Sequence, residues 1–508
     1  MAHLLGIDVS TTGAKALLID ERGNVAGGAT TEYPLSTPHP LWSEQSPADW
    51  WHGVRSSIQA ALNRTGLKGE DVSGVGLTGQ MHGLVMMDKS GQVLRPAILW
   101  NDQRTGLQCA EITERVGGLS TLLELTGNAV LPGFTAPKIL WVRENEPAVY
   151  EKTAHILLPK DYARFCLTGE YATEVSDASG TSLLDVARRR WSDPMLSALD
   201  IPKDWLPRCT ESPEISGQIS AAAARETGLK PGTPVVGGGG DQAAQAVGSG
   251  IVQAGIISVT LGTSGVVFAH SDRFAAEAQG RLHSFCHAVP GKWHLMGVML
   301  SAGGSFRWLR DSLGEPERTA ASLSGEDPYD LLTRAAARAP AGCQGLLFLP
   351  YLTGERTPYP DPQARGAFIG LTVHHNKDHI IRSVMEGVSF GLRDSLELIK
   401  SLGVPIAQVR ASGGGARSAL WRQIQADVFG NELVLVNVTE GAAYGAALLA
   451  GVGAGIFAGV EEAVARTVKI TQRIAPVAAS VERYQAIYPV YRTLYPALAP
   501  SFHALCLS

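Results

Sequence analysis

Two aspartates stand where glycine-flanked turns follow strand-like runs. Asp241 follows four glycines, residues 237–240, and opens an Ala-rich segment, 242–247, that is good helix material. Ahead of it Thr233-Pro234-Val235-Val236 reads as the end of a buried strand. A carboxylate at a glycine-lined mouth on the C-terminal end of a strand is where open α/β sheets carry ligand chemistry. It can accept a proton from a reacting hydroxyl, or only satisfy free N–H groups at the start of its helix. Asp8 ends the run 4–9, ahead of Ser10-Thr11-Thr12-Gly13 and a second run, 14–20, that contains Lys15. This spacing predicts strand, tight turn, strand. Hydroxyls and backbone N–H groups in such a turn can hold phosphate oxygens. Asp8 is placed to hold Mg²⁺ through water, since that ion keeps several waters and takes few carboxylates. A turn-forming Asp-Ser pair is the plainer reading.

Three more turns share this form. Residues 72–77 read as a strand ending in Gln80-Met81-His82-Gly83, with another apolar run at 84–87. A lone histidine is more often structural than catalytic, but this one lies at a glycine-bracketed strand end. Residues 257–268 carry a second hairpin whose turn is Gly262-Thr263-Ser264, and 409–412 lead into Gly413-Gly414-Gly415-Ala416 and a helix from 419. The last turn suits close backbone approach to a nucleotide, yet no P-loop and no helix-opening GxGxxG motif is present. Trp100-Asn101-Asp102-Gln103-Arg104 follows a short strand and offers a flat face and hydrogen-bonding groups to a sugar, or else the start of a helix.

The elements that must position these turns read as α/β. DVSTTG (8–13) lies over TLGTSG (260–265), and DQAAQAVG from Asp241 echoes EGAAYGAA from Glu440. Two echoes in the same order imply two copies of one α/β unit with different insertions. Helices are expected at 47–62, after Ser46 as N-cap, and at 382–400; 110–230 reads as an inserted, mainly helical region, and 349–358 as a long loop. Residues 441–460 lack charge, but their glycines and alanines suit a tightly packed helix better than a membrane span.

The chain has 508 residues and a net charge of −5 from 43 basic and 48 acidic side chains, without basic runs. Two domains are expected, and no nucleic-acid or membrane partner. The six cysteines lie far apart, without CxxC spacing, so free thiols in a reducing compartment are expected rather than a zinc site. The first ten residues do not read as a secretory leader, and a cytoplasmic protein is expected.

Taken in order, the Asp8 hairpin, QMHG, GGGGDQ, LGTSG and SGGGARS resemble the FGGY carbohydrate kinases, of the superfamily that contains actin and Hsp70. Residues 135–141 and 366–386 also match that pattern, and the resemblance covers nearly the whole chain. Segments 39–45, 79–83, 94–102, 131–138, 157–162 and 283–288 are similar to those of members that act on D-xylulose. The resemblance implies two ribonuclease-H-like domains with a cleft between them, 1–248 on the sugar side and 249–508 on the nucleotide side. It implies transfer of the ATP γ-phosphoryl group to the 5-hydroxyl of D-xylulose. Asp241 then acts as base and Asp8 serves phosphate and Mg²⁺; Met81 and His82, with Gln80, Trp100 and Asn101, meet the sugar. Ser10, Thr11, Thr12, Lys15, Gly262, Thr263, Ser264 and Gly413 to Ala416 meet the nucleotide. The expected partners are the sugar and ATP, with a homodimer as an assembly it allows. The alternatives are a family kinase for L-ribulose, gluconate or a tetrulose, a nucleotide-driven conformational protein, or a sugar-binding regulator without catalysis.

Overall fold

The N-terminal hairpin belongs to a seven-stranded mixed sheet in a computed structural model that describes residues 2–506. Strand His3–Val9 pairs antiparallel with Gly13–Asp20, which pairs antiparallel with Val25–Glu32. On its other side His3–Val9 runs parallel to Val72–Gly79, which runs parallel to Pro234–Val236. A second seven-stranded sheet repeats this pattern. Gly255–Leu261 is antiparallel to Gly265–Ser271, which is antiparallel to Trp293–Met299. Gly255–Leu261 is also parallel to Ile406–Ser412, which is parallel to Leu433–Val436. The echo between the two hairpins is therefore a repeat of topology.

The uncharged run near 441 forms the helix Gly441–Gly453, which packs on the first sheet and on the helix Asp241–Gly248. The contact is so close that a Cβ at Gly6 would lie 1.9 Å from the Ala443 carbonyl oxygen, and one at Gly445 1.8 Å from that of Ala244. Glycine is needed there to let backbone meet backbone. No helix among the described residues is long and apolar enough to cross a membrane. This helix, late in the chain, thus ties the second half to the first.

Helix Pro47–Thr65 covers one face of the first sheet with Trp50, Val54, Ile58 and Ala61, all fully buried. Ser46 stands at its N-cap, but its side chain makes no capping bond. The long helix expected at 382–400 begins earlier, as Lys377–Ser401, because Asn376 and His379 close a reciprocal capping box. The region 110–230 is mainly helical in its regular structure, as expected, but not wholly so. Beside its helices it holds the short strands His155–Leu157, Ala172–Glu174, Leu184–Asp185, Arg190–Trp191, Arg208–Thr210 and Ile215–Gln218. Runs of this length are too short for periodicity to reveal. One of them, His155–Leu157, pairs with Val85–Met87, the apolar run after QMHG, which therefore leaves the main sheet.

Candidate active site

Asp8 and Asp241 lie at the C-terminal ends of strands separated by a single strand. Asp8 is in register with Thr78, and Thr78 on its other side with Gly239, two residues before Asp241. Two strand spacings put those backbones roughly 10 Å apart, which leaves room between the side chains for a small acceptor. Gly238 makes the approach possible: its φ is +73°, and a Cβ there would sit 1.9 Å from the Leu77 carbonyl oxygen. Gly240 is the helix N-cap, so Asp241 is the first helical residue and not the cap. Among the described residues its carboxylate is held by Gln242, whose N–H it accepts at 2.7 Å. Asp8 Oδ1 is buried without a hydrogen-bond partner among the described residues.

Both carboxyls keep a strip of surface, yet protein crowds them closely. Burial pushes Asp241 up to about 7, and the negative charge of Asp8 adds to the rise. Burial likewise raises Asp8 to about 6, against the opposing pull of Lys15. A buried network holds the turn from behind. Lys160, Asp161, Arg164, Glu174 and Asp177 are all fully buried. Arg164 donates to the Gly237 carbonyl, and Ser176 Oγ accepts the Gly240 N–H at 3.1 Å. Lys160 bridges Asp161 at 2.7 Å and Asp177 at 2.9 Å.

The central strand Val72–Gly79 leads into Met81 and His82 at the same end of the sheet as these carboxylates. His82 has a φ of +70°, uncommon outside glycine. Its carbonyl oxygen accepts from Lys138 Nζ at 2.9 Å and from Thr135 Oγ1 at 3.0 Å, which holds the backbone in that state. Its Nδ1 faces the Gly180 carbonyl at 2.8 Å, so Nδ1 carries the proton and Nε2 is the acceptor. Burial holds the ring pKa down at about 3, and the imidazole is neutral. The ring stacks on Phe134, centroids 4.7 Å apart. Met81 is buried against Gly240 and Gly180; it fills the space beneath Asp241 and His82.

Several residues expected to face ligand are occupied otherwise. Gln80 is buried, accepts from Thr11 Oγ1 at 3.1 Å and donates to Gln45 at 2.9 Å. Its amide is thus engaged in bracing the hairpin. Thr11 Oγ1 also accepts the Trp100 indole N–H at 3.0 Å, and Ser10 Oγ closes its own turn on Gly13. Of the three hydroxyl residues in this turn, Thr12 is the exposed one. Lys15 is paired with Glu440, across from the other half of the chain. Trp100 is 45% exposed and Asn101 Oδ1 is buried without a partner, so both retain binding capacity. Asp102 instead anchors Arg104 and the Ser43 N–H.

On the second sheet the turns Gly262–Ser264 and Gly413–Ala416 follow adjacent parallel strands, with Thr260 in register with Ser412. Gly262, Thr263, Gly414 and Gly415 line a cavity of about 550 Å³, closed by Phe306, Arg307, Tyr329 and Trp421. Its aromatic walls and glycine floor suit a nucleotide base.

The FGGY family of carbohydrate kinases matches this chain twice, its N-terminal domain over residues 3–248 and its C-terminal domain over residues 257–454. The chain belongs to the FGGY family. Among similar proteins, the xylulose kinase of Escherichia coli K12 is 44% identical over 84% of this chain and 85% of its own. The gluconokinase of Bacillus subtilis 168 is 33% identical over 87% of this chain and 86% of its own. The crystal structure of xylulose kinase from Rhodospirillum rubrum superimposes with a TM-score of 0.91 at 32% identity, over 99% of this chain and all of that one. The fold is therefore the two-domain α/β fold of sugar kinases.

As an FGGY kinase the chain must bring a hydroxyl, a triphosphate and a divalent cation together. The orphaned Asp8 Oδ1, with a second carboxylate nearby, is a donor set that a cation would satisfy. No cluster of three or more His, Cys, Asp or Glu among the described residues could hold a metal alone. Phosphate oxygens and water would complete the shell. Lys138 and Thr135, which hold His82, escape a reading based on turns. The signal for Lys138 is a lysine with no charged neighbour in its segment, whose burial depresses its pKa to about 7.

Proposed function

We propose that this FGGY kinase transfers the γ-phosphoryl group of ATP to the 5-hydroxyl of D-xylulose. Support comes from the relatives named above together with one observation: two carboxylates, neither in an ion pair among the described residues, at the ends of strands that flank the strand leading to a neutral histidine. Asp241 orients the sugar hydroxyl and takes its proton as the new O–P bond forms. The bond from the γ-phosphorus to the β–γ bridging oxygen breaks, and ADP leaves. A hydroxyl is too weak an acid to ionise beforehand, so in-line placement carries most of the acceleration. Asp8 would hold Mg²⁺, which would supply neutralisation of the triphosphate charge. His82 Nε2 accepts from a sugar hydroxyl, and Met81 closes the floor. The halves 1–248 and 249–508 act as lobes that exclude water, which otherwise competes as acceptor. The protein acts in the cytoplasm, and light scattering tests whether it is a homodimer.

The test is ADP release with D-xylulose, L-ribulose, gluconate, a tetrulose and no sugar. D-Xylulose gives the highest kcat/KM if the reading holds. Sugar-independent turnover sinks it. A gluconate preference selects the second reading, which the gluconokinase relative favours.

A further inference from the structure

We propose that Arg356 is a substrate-contacting residue whose guanidinium, from the second half of the chain, donates to oxygens of the sugar bound beside His82. The inference rests on the kinase reading above and adds a group to that site. Its backbone is bolted to the strand Trp293–Met299 and the residue after it. Glu355 Oε1 accepts the N–H of Leu300 at 2.9 Å and of Arg356 itself at 2.7 Å. The Thr357 N–H donates to Val298 O at 3.1 Å, and the Val298 N–H returns to Thr357 Oγ1 at 3.2 Å. Thr357 Oγ1 also donates to the Arg281 carbonyl at 2.9 Å.

The side chain between these anchors is unmet. Among the described residues it makes no hydrogen bond and no ion pair. It also stacks on no aromatic ring, as Arg95, Arg104, Arg189, Arg310, Arg393 and Arg466 do. A guanidinium has five N–H donors, and those of Arg356 are left without protein acceptors on a half-buried side chain that still reaches solvent. The field of Glu355 favours the Arg356 charge, but among the described residues the two form no ion pair. That carboxyl is buried, and burial raises its pKa to about 8, so it is largely protonated at neutral pH.

The charge lies beside the sugar side of the site. The neighbouring Thr357 bonds to Val298, which packs against the apolar cluster that holds Met81, Phe134 and Phe285; after burial, the Arg356 charge adds to the lowering of the His82 and His283 pKa values. Those two histidines come from different halves and meet across Phe134, with ring centroids 4.7 Å and 5.7 Å from it. Arg356 thus borders the group of rings that ends at His82. A polyhydroxylated ligand supplies the missing acceptors, and an anionic sugar acid would do so too.

The experiment compares the full-length wild type with Arg356→Ala and Arg356→Lys, varying D-xylulose, gluconate and ATP separately. Arg356→Ala is expected to raise the D-xylulose KM by about tenfold to a hundredfold, the scale of a hydrogen bond from a charged donor. The ATP KM is expected to stay within about twofold. Arg356→Lys recovers part of the loss, and guanidinium ion added to Arg356→Ala recovers part of it without a change in melting temperature. An unchanged D-xylulose KM in a folded variant overturns the proposal, and so does a defect confined to ATP or to gluconate. If Arg356→Ala does not fold, Arg356→Lys decides alone, by the same split between KM values. Wild type that turns over with sugar beside an unaffected variant sinks only Arg356. Wild type without sugar-dependent turnover sinks the kinase reading and this proposal with it.

Discussion

The two halves of the chain use one topology, but their matching positions carry opposite electrostatics. Asp8 of the first hairpin aligns with Thr260 of the second, and Asp241 with Glu440, each at the start of a small-residue helix. Thr260 is satisfied: it accepts from Gln245 at 3.2 Å and lies 2.9 Å from Ser412 Oγ. Glu440 is neutralised by Lys15. Among the described residues Asp8 has an orphaned oxygen, and Asp241 bonds to no residue but its neighbour Gln242. The duplicated frame gives both halves strand ends to build on; only the first leaves charge exposed to a ligand there. Unmet polar groups in an otherwise satisfied fold are where function is expected to sit.

The sharpest way to break this comparison is Asp241→Asn. It preserves size and removes the proton acceptor. We expect kcat to fall by at least about a hundredfold, the scale of general base catalysis, with sugar binding retained. Steady-state kinetics beside calorimetric sugar binding check it. Near wild-type turnover would reduce Asp241 to a helix-start residue no different in kind from Glu440.

Asp8→Asn comes next. With the carboxylate toward the phosphates, kcat/KM for ATP should fall by about tenfold or more, the scale of a lost charge-assisted contact, while sugar KM stays within about twofold. Titrating ATP, Mg²⁺ and sugar separately checks it, and a defect confined to sugar would reverse the placement.

The hairpins, the three glycine-rich turns and the repeat were legible because tight turns restrict residue type so strongly. Asp241 and His82 were legible for the same reason, since each stands beside glycine at a strand end. What was hidden depends on long-range partners. Gln80 looks like a ligand-facing residue until Thr11 and Gln45 are found to hold it. Ser10 and Thr11 look free until Gly13 and Trp100 are seen beside them. Lys15 pairs with Glu440, 425 positions away. The short strands between 155 and 218 escape for another reason, since tertiary contact and not local pattern forms them.

The contrast also predicts stability. A carboxyl with a raised folded pKa binds its proton more tightly in the folded protein than in the unfolded chain, so its ionisation opposes folding. The ligand-free protein should therefore lose stability from these groups as pH rises from about 4 through the folded values, about 6 for Asp8 and about 7 for Asp241. Asp241→Asn should unfold at higher denaturant than wild type at pH 8. The gain is on the order of 1–2 kcal/mol once partial exposure is allowed for, and it should close toward zero near pH 4. Denaturant titrations at both pH values check it. A variant less stable than wild type at pH 8 would mean that the charge is compensated.

Glu440→Gln carries the smallest expected effect and tests the other side of the pairing. The Lys15–Glu440 bridge is about one-third exposed at both ends, and such pairs contribute roughly 0–1 kcal/mol. Stability should hardly move. Lys15, however, stands on the strand that follows the Ser10–Gly13 turn and opposite Asp8 in register. Once Glu440 no longer holds it, its ammonium can turn to the triphosphate, so ATP KM should stay constant or fall by up to about threefold, a change worth about 0.6 kcal/mol. A steeper salt dependence of ATP KM than in wild type would accompany that turn, since an exposed ammonium–phosphate contact is screened by ions. A hundredfold loss of kcat in Glu440→Gln would show instead that Glu440 does work equal to that of Asp241, and the asymmetry between the two halves would be gone.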